Sequence, residues 1–168
     1  CEAALADAKR HNQTLALMLI DLDHFKPIND RFGHDAGDLM LQTIAQRLRE
    51  HVRAGDAVAR LGGDEFAALI GGPDAEGHAR EIAGRLLAAL AQPVLYGAEP
   101  LTVTISIGVA LYPQHASNFA GLYKAADEML YKVKARGRSG SAVCGEDGEL
   151  SSSARLQLDV LNVPSGLG

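Results

Sequence analysis

Residues 15–23, LALMLIDLD, place the strongest constraint on the fold of this chain. Both sets of alternating side chains in this segment are apolar until two aspartates near its end. A strand with one solvated face alternates apolar and polar residues, whereas a strand buried on both faces reads as a continuous apolar run. The segment therefore predicts a central β-strand with a layer of structure packed on each face.

Helices and further strands alternate along the rest of the chain. Apolar residues at helical spacing predict helices over residues 2–11, 36–52, 75–92 and around 122–133. Shorter apolar or β-branched runs predict strands over residues 58–61, 66–70, 101–112 and 141–144, the last of them an edge strand. This order predicts an α+β fold, an α/β sandwich in which helices flank a central, mainly antiparallel sheet.

Length and composition are those of one ordinary globular domain. The chain has 168 residues, of which 47% are hydrophobic and 22% are charged, which is enough for a sizeable core. The net charge of −5 argues against broad nucleic-acid binding, although a few local cations could hold a small anion. Cys1 and Cys144 lie at opposite ends of the chain, which predicts a reducing, cytoplasmic compartment without a disulfide framework or a zinc site.

The two ends of the chain suggest its place in a larger protein. No apolar run reaches membrane-spanning length and no signal peptide is recognisable, so we expect no direct membrane contact by this domain. The chain begins inside helix-like sequence, and we expect a domain cut from a longer protein that could itself be membrane-anchored. From residue 145 onward glycine, serine and acidic residues accumulate. We therefore expect one domain over residues 1–144 and a linker or disordered tail over residues 145–168.

A glycine hairpin brings acids into an otherwise apolar segment, RLGGDEFAAL (residues 60–69). Its paired glycines suit the positive φ angles of a tight turn, and Asp64 and Glu65 follow at the tip. If the hairpin pairs beside the central strand, these acids join Asp21 and Asp23, which share one face of that strand. Convergent carboxylates repel unless a hard cation neutralises them, and Mg²⁺ favours one or two carboxylates together with phosphates. The pattern predicts a magnesium-dependent phosphoryl-transfer site; the alternative is that all four acids are solvated turn residues.

Three spaced motifs resemble one known family. GGDEF (residues 62–66) is the name-giving signature of GGDEF domains, the diguanylate cyclases that make cyclic di-GMP from two GTP molecules. DLDHFKPINDRFGHDAGD (residues 21–38) resembles the upstream block of that family, and ADEMLYKVKARGRS (residues 126–139) resembles its downstream block. Agreement of three motifs in order is much more specific than any one of them. The resemblance covers roughly residues 5 to 145 and implies a fold related to the polymerase palm and to the nucleotidyl-cyclase core.

The resemblance implies a metal and catalytic set at the end of the central strand. Asp21, Asp64 and the backbone carbonyl of Leu22 would bind Mg²⁺, for which Mn²⁺ could substitute. Asp64 or Glu65 would activate the ribose 3′-hydroxyl, and two metals would lower the pKa of that hydroxyl and neutralise the leaving pyrophosphate. Lys26 would steady charge on the phosphates, its alternative being a solvated lysine at the start of a loop.

The resemblance also assigns guanine recognition. Asn29 and Asp38 would read the base, because a carboxylate accepts hydrogen bonds from the N1–H and 2-amino groups that guanine has and adenine lacks. Asp38 could equally stabilise the first turn of the following helix, where an acid is favourable, and both roles can coexist. His34 lies within the same block, although a lone histidine is more often structural.

The resemblance assigns phosphate binding to two glycines and two basic side chains. Gly62 and Gly63 would let the backbone approach the phosphates, which a Cβ would obstruct. Lys134 and Arg138 match the downstream cations that reach the β- and γ-phosphates. Their alternative is a solvated helix end, where basic side chains are favoured in any case.

A further motif resembles the inhibitory product site of the family. Arg53 and Asp56 of RAGD form an RxxD string five residues before the signature. Arginine can donate two parallel hydrogen bonds to a phosphate or to the guanine edge, and the aspartate can accept hydrogen bonds from guanine. A second arginine usually completes this site, and Arg80 and Arg85 are both candidates.

The implied partners are GTP, cyclic di-GMP, a second copy of the chain and a regulatory domain. One chain holds one GTP, so a two-fold homodimer must bring each 3′-hydroxyl to the α-phosphate of the other nucleotide. The first alternative is a catalytically silent receptor that binds cyclic di-GMP or GTP and signals through a partner; the second is another enzyme with a similar palm. Residues 154–161 also faintly resemble the lead-in to a phosphodiesterase domain.

Overall fold

The structure, a computed structural model, describes residues 2–145 and 151–152. Its helices are α1 (Glu2–His11), α2 (Lys26–Phe32), α3 (His34–His51), α4 (Ala75–Leu90) and α5 (Phe119–Ala135). Its strands are β1 (Thr14–Asp23), β2 (Ala57–Gly62), β3 (Glu65–Gly72), β4 (Val94–Tyr96), β5 (Glu99–Leu101), β6 (Thr104–Tyr112), β7 (Gly140–Val143) and β8 (Ser151–Ser152).

Six of the strands form one mixed sheet in the order β2-β3-β1-β6-β7-β8, while β4 and β5 make a separate two-stranded hairpin. Neighbouring strands of the large sheet run antiparallel except β6 and β7, which run parallel. β1 therefore lies between two long antiparallel partners. The predicted α+β class, with helices flanking a mainly antiparallel sheet, is confirmed.

Alternate side chains of β1 enter two different hydrophobic cores. Ala16, Met18 and Ile20 pack with residues of α3 and α4 on one face of the sheet. Leu17 and Leu19 pack with residues of α1 and α5 on the other face. Burying a side chain of this size stabilises the fold by about 1.5–3 kcal/mol. This packing confirms the prediction that the strand is covered on both faces.

The region after β1 contains a short helix that the sequence analysis did not predict. Lys26, for which the start of a loop was the alternative, begins helix α2, and Pro27 is tolerated because the first helical turn needs no amide donor. Gly33, with φ of 84°, separates α2 from α3, which begins at His34, two residues before the predicted start. Asp38 therefore lies in the second turn of α3, so its predicted place in the first turn is wrong.

Two strand predictions also need correction. The predicted strand over residues 101–112 is divided between two strands, β5 and β6. A turn with Gly97 at φ of 62° folds β5 back on β4. The chain joins the large sheet beside β1 only from Thr104. β7 was expected at the sheet edge, yet β8 pairs outside it. β8 falls within residues 145–168, the range expected to be linker or tail. Residues 146–150 and 153–168 of that range, which include the 154–161 segment, lie outside the described residues. The division into domain and tail stays a prediction.

Membrane insertion has no support in the described helices. Within residues 2–145 and 151–152, none of them is both long enough and apolar enough to cross a bilayer.

Helix α5 approaches β6 most closely at Gly108. A Cβ built there would overlap the carbonyl oxygen of Ala126 and the amide nitrogen of Leu130, both of them backbone atoms of α5. We expect Gly108→Ala to lower the free energy of unfolding by about 2 kcal/mol or more, because backbone atoms cannot rotate away from an overpacked methyl group. Urea denaturation measures this change.

The matched control is Gly84→Ala, since Gly84 lies in α4 with open space around its Cβ position. That substitution should be neutral or stabilise the fold by about 0.5–1 kcal/mol, because alanine favours helix over glycine. Equal stabilities for the two variants would contradict the close approach of α5 to β6.

Candidate active site

The hairpin between β2 and β3 is built by glycine conformations and braced by an arginine. Gly62 and Gly63 have φ of 155° and 52°, in the region that favours glycine. The Nε and Nη2 atoms of Arg60 both donate to the carbonyl oxygen of Gly63, at 2.9 and 2.6 Å. The pairing of β2 with β3 is irregular between Arg60 and Gly62. These features fix the backbone at the tip, directly before Asp64.

The hairpin docks on the end of β1 and brings the acids together. The amide of Leu22 donates to the carbonyl oxygen of Asp64 at 3.2 Å. Glu65, which is exposed, lies directly opposite Asp21 in the ladder between β1 and β3. The hairpin thus pairs beside the central strand, which is the condition that the convergence of the acids required.

One open cavity of about 330 Å³ lies at this sheet edge. It is lined by six residues that the sequence assigned to metal, phosphate or catalysis: Asp21, Leu22, Lys26, Asp64, Lys134 and Arg138. They come from the end of β1, the start of α2, the hairpin tip, the end of α5 and the turn after α5. The fold therefore brings residues from three distant motifs to one place.

Asp21 carries the strongest electrostatic perturbation in the cavity. It is 8% exposed, and the Lys134 ammonium lies 2.8 Å from its Oδ2 atom. Burial raises the pKa of the Asp21 carboxyl above its ordinary value, the hydrogen bond and charge of Lys134 oppose this rise, and the charges of Asp64 and Asp23 add to it. A bound cation would relieve the repulsion among these carboxylates.

The donor set fits a hard cation rather than a zinc-type site. Among residues 2–145, no group of three or more His, Cys, Asp or Glu side chains is placed to hold a metal ion. A cation at this edge would rely on the carboxylates of Asp21 and Asp64, the carbonyl of Leu22, phosphate oxygens and water. Mg²⁺ commonly binds in this manner, through one or two carboxylates and substrate phosphates.

The residues predicted to read guanine lie on α2 and α3. Asn29 packs so closely against Gly37 that a Cβ at position 37 would overlap the Asn29 Oδ1 atom. The next residue, Asp38, is exposed and lines a second open cavity of about 370 Å³ between α3 and β2, together with Arg60. Asp38 and the basic residues predicted to bind phosphate thus line two different cavities. His34 is exposed at the start of α3.

The RxxD motif forms a turn at the other end of β2 from the hairpin tip. The Asp56 carboxylate accepts hydrogen bonds from the amides of Arg53 and Gly71, at 3.0 and 3.3 Å. The Arg53 residue itself is exposed. Arg85 donates to a backbone carbonyl at the end of α3 at 3.3 Å and lies 3.6 Å from a glutamate of its own helix. Arg80 pairs with another glutamate of that helix at 2.6 Å. Both arginines stay candidates for the second arginine of the product site.

Sequence reasoning missed two contributors to this site. Gly37 was not singled out, although its lack of a Cβ admits the Asn29 side chain. Arg60 was not singled out either, although it braces Gly63. The sequence signal for Arg60 was its position three residues before the second glycine of the hairpin. That position alone does not show that the arginine side chain turns back to the glycine carbonyl.

Known proteins match both the sequence and the fold. The family model described as "Diguanylate cyclase, GGDEF domain" matches residues 1–140. The diguanylate cyclase TpbB of Pseudomonas aeruginosa is 44% identical over 136 residues, which are 80% of this chain and 31% of TpbB. The bifunctional diguanylate cyclase/cyclic di-GMP phosphodiesterase MucR of the same organism is 37% identical over 161 residues, which are 96% of this chain and 23% of MucR.

Solved GGDEF domains have the same architecture. The crystal structure of the GGDEF domain of TpbB superposes with a TM-score of 0.80 at 42% identity, covering 87% of this chain and 91% of that one. The GGDEF domain of DgcB from Caulobacter crescentus, solved in complex with c-di-GMP, superposes with a TM-score of 0.79 at 25% identity, covering 86% of each chain. The chain therefore belongs to the GGDEF domain family. It spans less than a third of the length of TpbB and of MucR.

The contact between Lys134 and Asp21 predicts a measurable shift. In the metal-free protein, we expect Lys134→Met to raise the pKa of Asp21 further, because the only favourable charge beside a buried carboxyl is removed while Asp64 and Asp23 remain. The carboxylate form of Asp21 is then lost at a higher pH on acidification. Titration of the carboxyl carbon by NMR measures the shift.

Lys132→Met is the matched control, since Lys132 is exposed two residues earlier in α5. It should leave the Asp21 titration unchanged. An Asp21 pKa that falls in Lys134→Met, or that moves equally in both variants, would contradict the observed ion pair.

Proposed function

We propose that this chain is a diguanylate cyclase module that condenses two GTP molecules into cyclic di-GMP and releases two pyrophosphates. One observation carries the proposal: acids from β1 and the hairpin turn line a single open cavity together with basic side chains from α2, from α5 and from the turn after α5. Membership of the GGDEF family supports it. The activity of the longer protein is part of the proposal, since the relatives extend well beyond the matched region.

Phosphate binding uses the basic rim of the cavity. Lys134 and Arg138, near the end of α5, would hold the β- and γ-phosphates, and Lys26 would approach from the start of α2. Charge-assisted hydrogen bonds of this type are about twice as strong as neutral ones. The backbone of Gly62 and Gly63 leaves open space at the tip, since no atom lies within 4 Å of a Cβ position on either residue.

Catalysis depends on the acidic side of the same cavity. Asp21, Asp64 and the carbonyl of Leu22 would hold Mg²⁺, with Mn²⁺ as a substitute, and the ion would supply positive charge beside the phosphates and the ribose 3′-hydroxyl. Asp64 or Glu65 would accept the proton of that hydroxyl as its oxygen attacks the α-phosphate of the other GTP. Lys134 and Arg138 would then stabilise the negative charge of the departing pyrophosphate.

Guanine selection would use Asn29 and Asp38. The Asp38 carboxylate can accept hydrogen bonds from the guanine N1–H and 2-amino groups, and adenine offers neither of these donors in the same place. Its exposure at the mouth of the cavity between α3 and β2 leaves it accessible to a base.

Two copies of the chain would be needed because each chain would hold one GTP. A two-fold homodimer would present each 3′-hydroxyl to the α-phosphate bound by the partner, and a regulatory domain elsewhere in the longer protein would control this pairing. Product inhibition would use Arg53 and Asp56, with Arg80 or Arg85 as the second arginine. The complex of DgcB with c-di-GMP supports product binding by domains of this type.

The direct test is the formation of product by the purified chain. With GTP and Mg²⁺, we expect cyclic di-GMP to form at a rate that rises more than linearly with enzyme concentration, because the productive form is a dimer. Asp64→Ala should lower the rate at least about a hundredfold, since it removes both a metal ligand and a candidate base. Chromatography of the products measures both effects.

Asp127→Ala provides the matched control, because Asp127 is an exposed acid on α5. It should retain the full rate. Absence of product from the wild-type chain at every concentration, combined with tight binding of cyclic di-GMP, would overturn the cyclase proposal in favour of a silent receptor.

A second test addresses the placement of the guanine-reading residues. We expect Gly37→Ala to raise KM for GTP about tenfold, because the added methyl group displaces the Asn29 side chain from the surface of α3. Steady-state kinetics over a range of GTP concentrations measures the change. Gly84→Ala controls for the effect of alanine in a helix, and an unchanged KM in Gly37→Ala would contradict a role for Asn29 in binding the base.

A further inference from the structure

Asp23 is a buried carboxylate to which the metal and GTP assignments give no role. It lies on the same face of β1 as Asp21, and its side chain is fully buried beside the phosphate cavity. A buried carboxylate is retained only where partners compensate for its lost hydration. Its partners therefore indicate what it does.

Both oxygens of Asp23 are already held by donors from the protein. Oδ2 accepts from the Thr104 hydroxyl at 2.8 Å and from the backbone amide of Ser139 at 3.1 Å, and Oδ1 accepts from the Ser106 hydroxyl at 2.8 Å. The Nε atom of Arg138 lies 3.9 Å from Oδ1. Donors within the protein thus compensate the charge of Asp23, whereas Asp21 has the Lys134 ammonium beside it.

The amide that Asp23 holds belongs to an unusual turn between α5 and β7. Arg138 and Ser139 have φ of 67° and 50°, a left-handed conformation that residues with side chains adopt rarely. Asp23 ties this turn to β1, while Thr104 and Ser106 tie Asp23 to β6. The backbone that carries Arg138 is thereby fixed to the rigid centre of the sheet.

We propose that Asp23 is a positioning residue that holds the Arg138 guanidinium over the phosphate cavity by anchoring the turn at Ser139 and by facing the Nε edge. A guanidinium has five N–H donors, so a contact at Nε leaves others for phosphate oxygens. Asp23 thus acts on the polyphosphate through Arg138 rather than by touching it. This inference rests on the proposed GTP site and concerns affinity for its phosphates.

A thermodynamic cycle on nucleotide binding tests the inference. The variants are Asp23→Asn, Arg138→Ala and the double substitution, and the probes are GTP and GMP with Mg²⁺, measured by calorimetry. We expect Arg138→Ala to raise the Kd for GTP about tenfold and Asp23→Asn to raise it about threefold to tenfold. The double variant should bind GTP no more weakly than Arg138→Ala alone, because the two residues act through one guanidinium.

The comparison of nucleotides separates positioning from a general loss of structure. GMP lacks the β- and γ-phosphates, so its Kd should stay within about twofold of the wild-type value in every variant. Asp74→Asn is the matched control, since Asp74 also holds a backbone amide, that of Gly77 at the start of α4, at 3.0 Å. It should bind GTP as the wild type does.

Thr104→Val is a milder variant in case Asp23→Asn does not fold, because it removes one donor and retains the carboxylate. It should weaken GTP binding in the same direction by a smaller factor and leave GMP binding unchanged. Additive effects in the cycle, or equal losses for GTP and GMP in either variant, would overturn the positioning role. If the wild-type chain makes cyclic di-GMP and the cycle is additive, only the positioning role of Asp23 fails. If the wild-type chain neither makes cyclic di-GMP nor binds GTP, the proposed function fails as well.

Discussion

Burial of β1 on both faces is the constraint on which the rest of the structure depends. Helices α3 and α4 cover one set of its side chains, and α1 and α5 cover the other. The same alternation that fills the second core with Leu17 and Leu19 carries Asp21 and Asp23 onto the α5 side of the sheet. The acids therefore meet the basic end of α5 where apolar packing stops.

The electrostatics of the cavity follow from that placement. Asp21 is largely removed from water, which raises its pKa, and Lys134 offsets only part of this effect because Asp64 and Asp23 are also near. Asp23 is compensated differently, by hydroxyl and amide donors within the protein. One carboxylate is thus available to a cation and its phosphates, while its neighbour fixes the surrounding backbone.

The position of the hairpin tip depends on hydrogen bonds to its backbone carbonyls. Arg60 braces the carbonyl of Gly63, and the amide of Leu22 holds the carbonyl of Asp64. The bond from Leu22 joins the end of β1 to the turn between β2 and β3, so a shift of β1 would carry the hairpin tip with it. The geometry of the acidic edge is therefore a property of the sheet rather than of the loop alone.

Local sequence patterns were sufficient to predict much of the fold of this protein. The apolar run of β1, the glycine pair and the spacing of three motifs predicted the class of fold and the family. The start of α3 and the separate hairpin of β4 and β5 were missed, because Gly33 and Gly97 act as boundaries through backbone angles that a sequence pattern does not specify. Asp38 consequently sits one turn further along its helix than expected.

By itself, the sequence determined which residue types reach the acidic edge, because strand alternation and turn chemistry are local properties of the chain. Only the tertiary structure decided what each group does there. Thr104 and Ser106 lie more than eighty positions from Asp23, and Gly37 matters only because the Asn29 side chain lies against it. Such contacts depend on how separate elements pack in space, and no spacing along the chain encodes a distance between them.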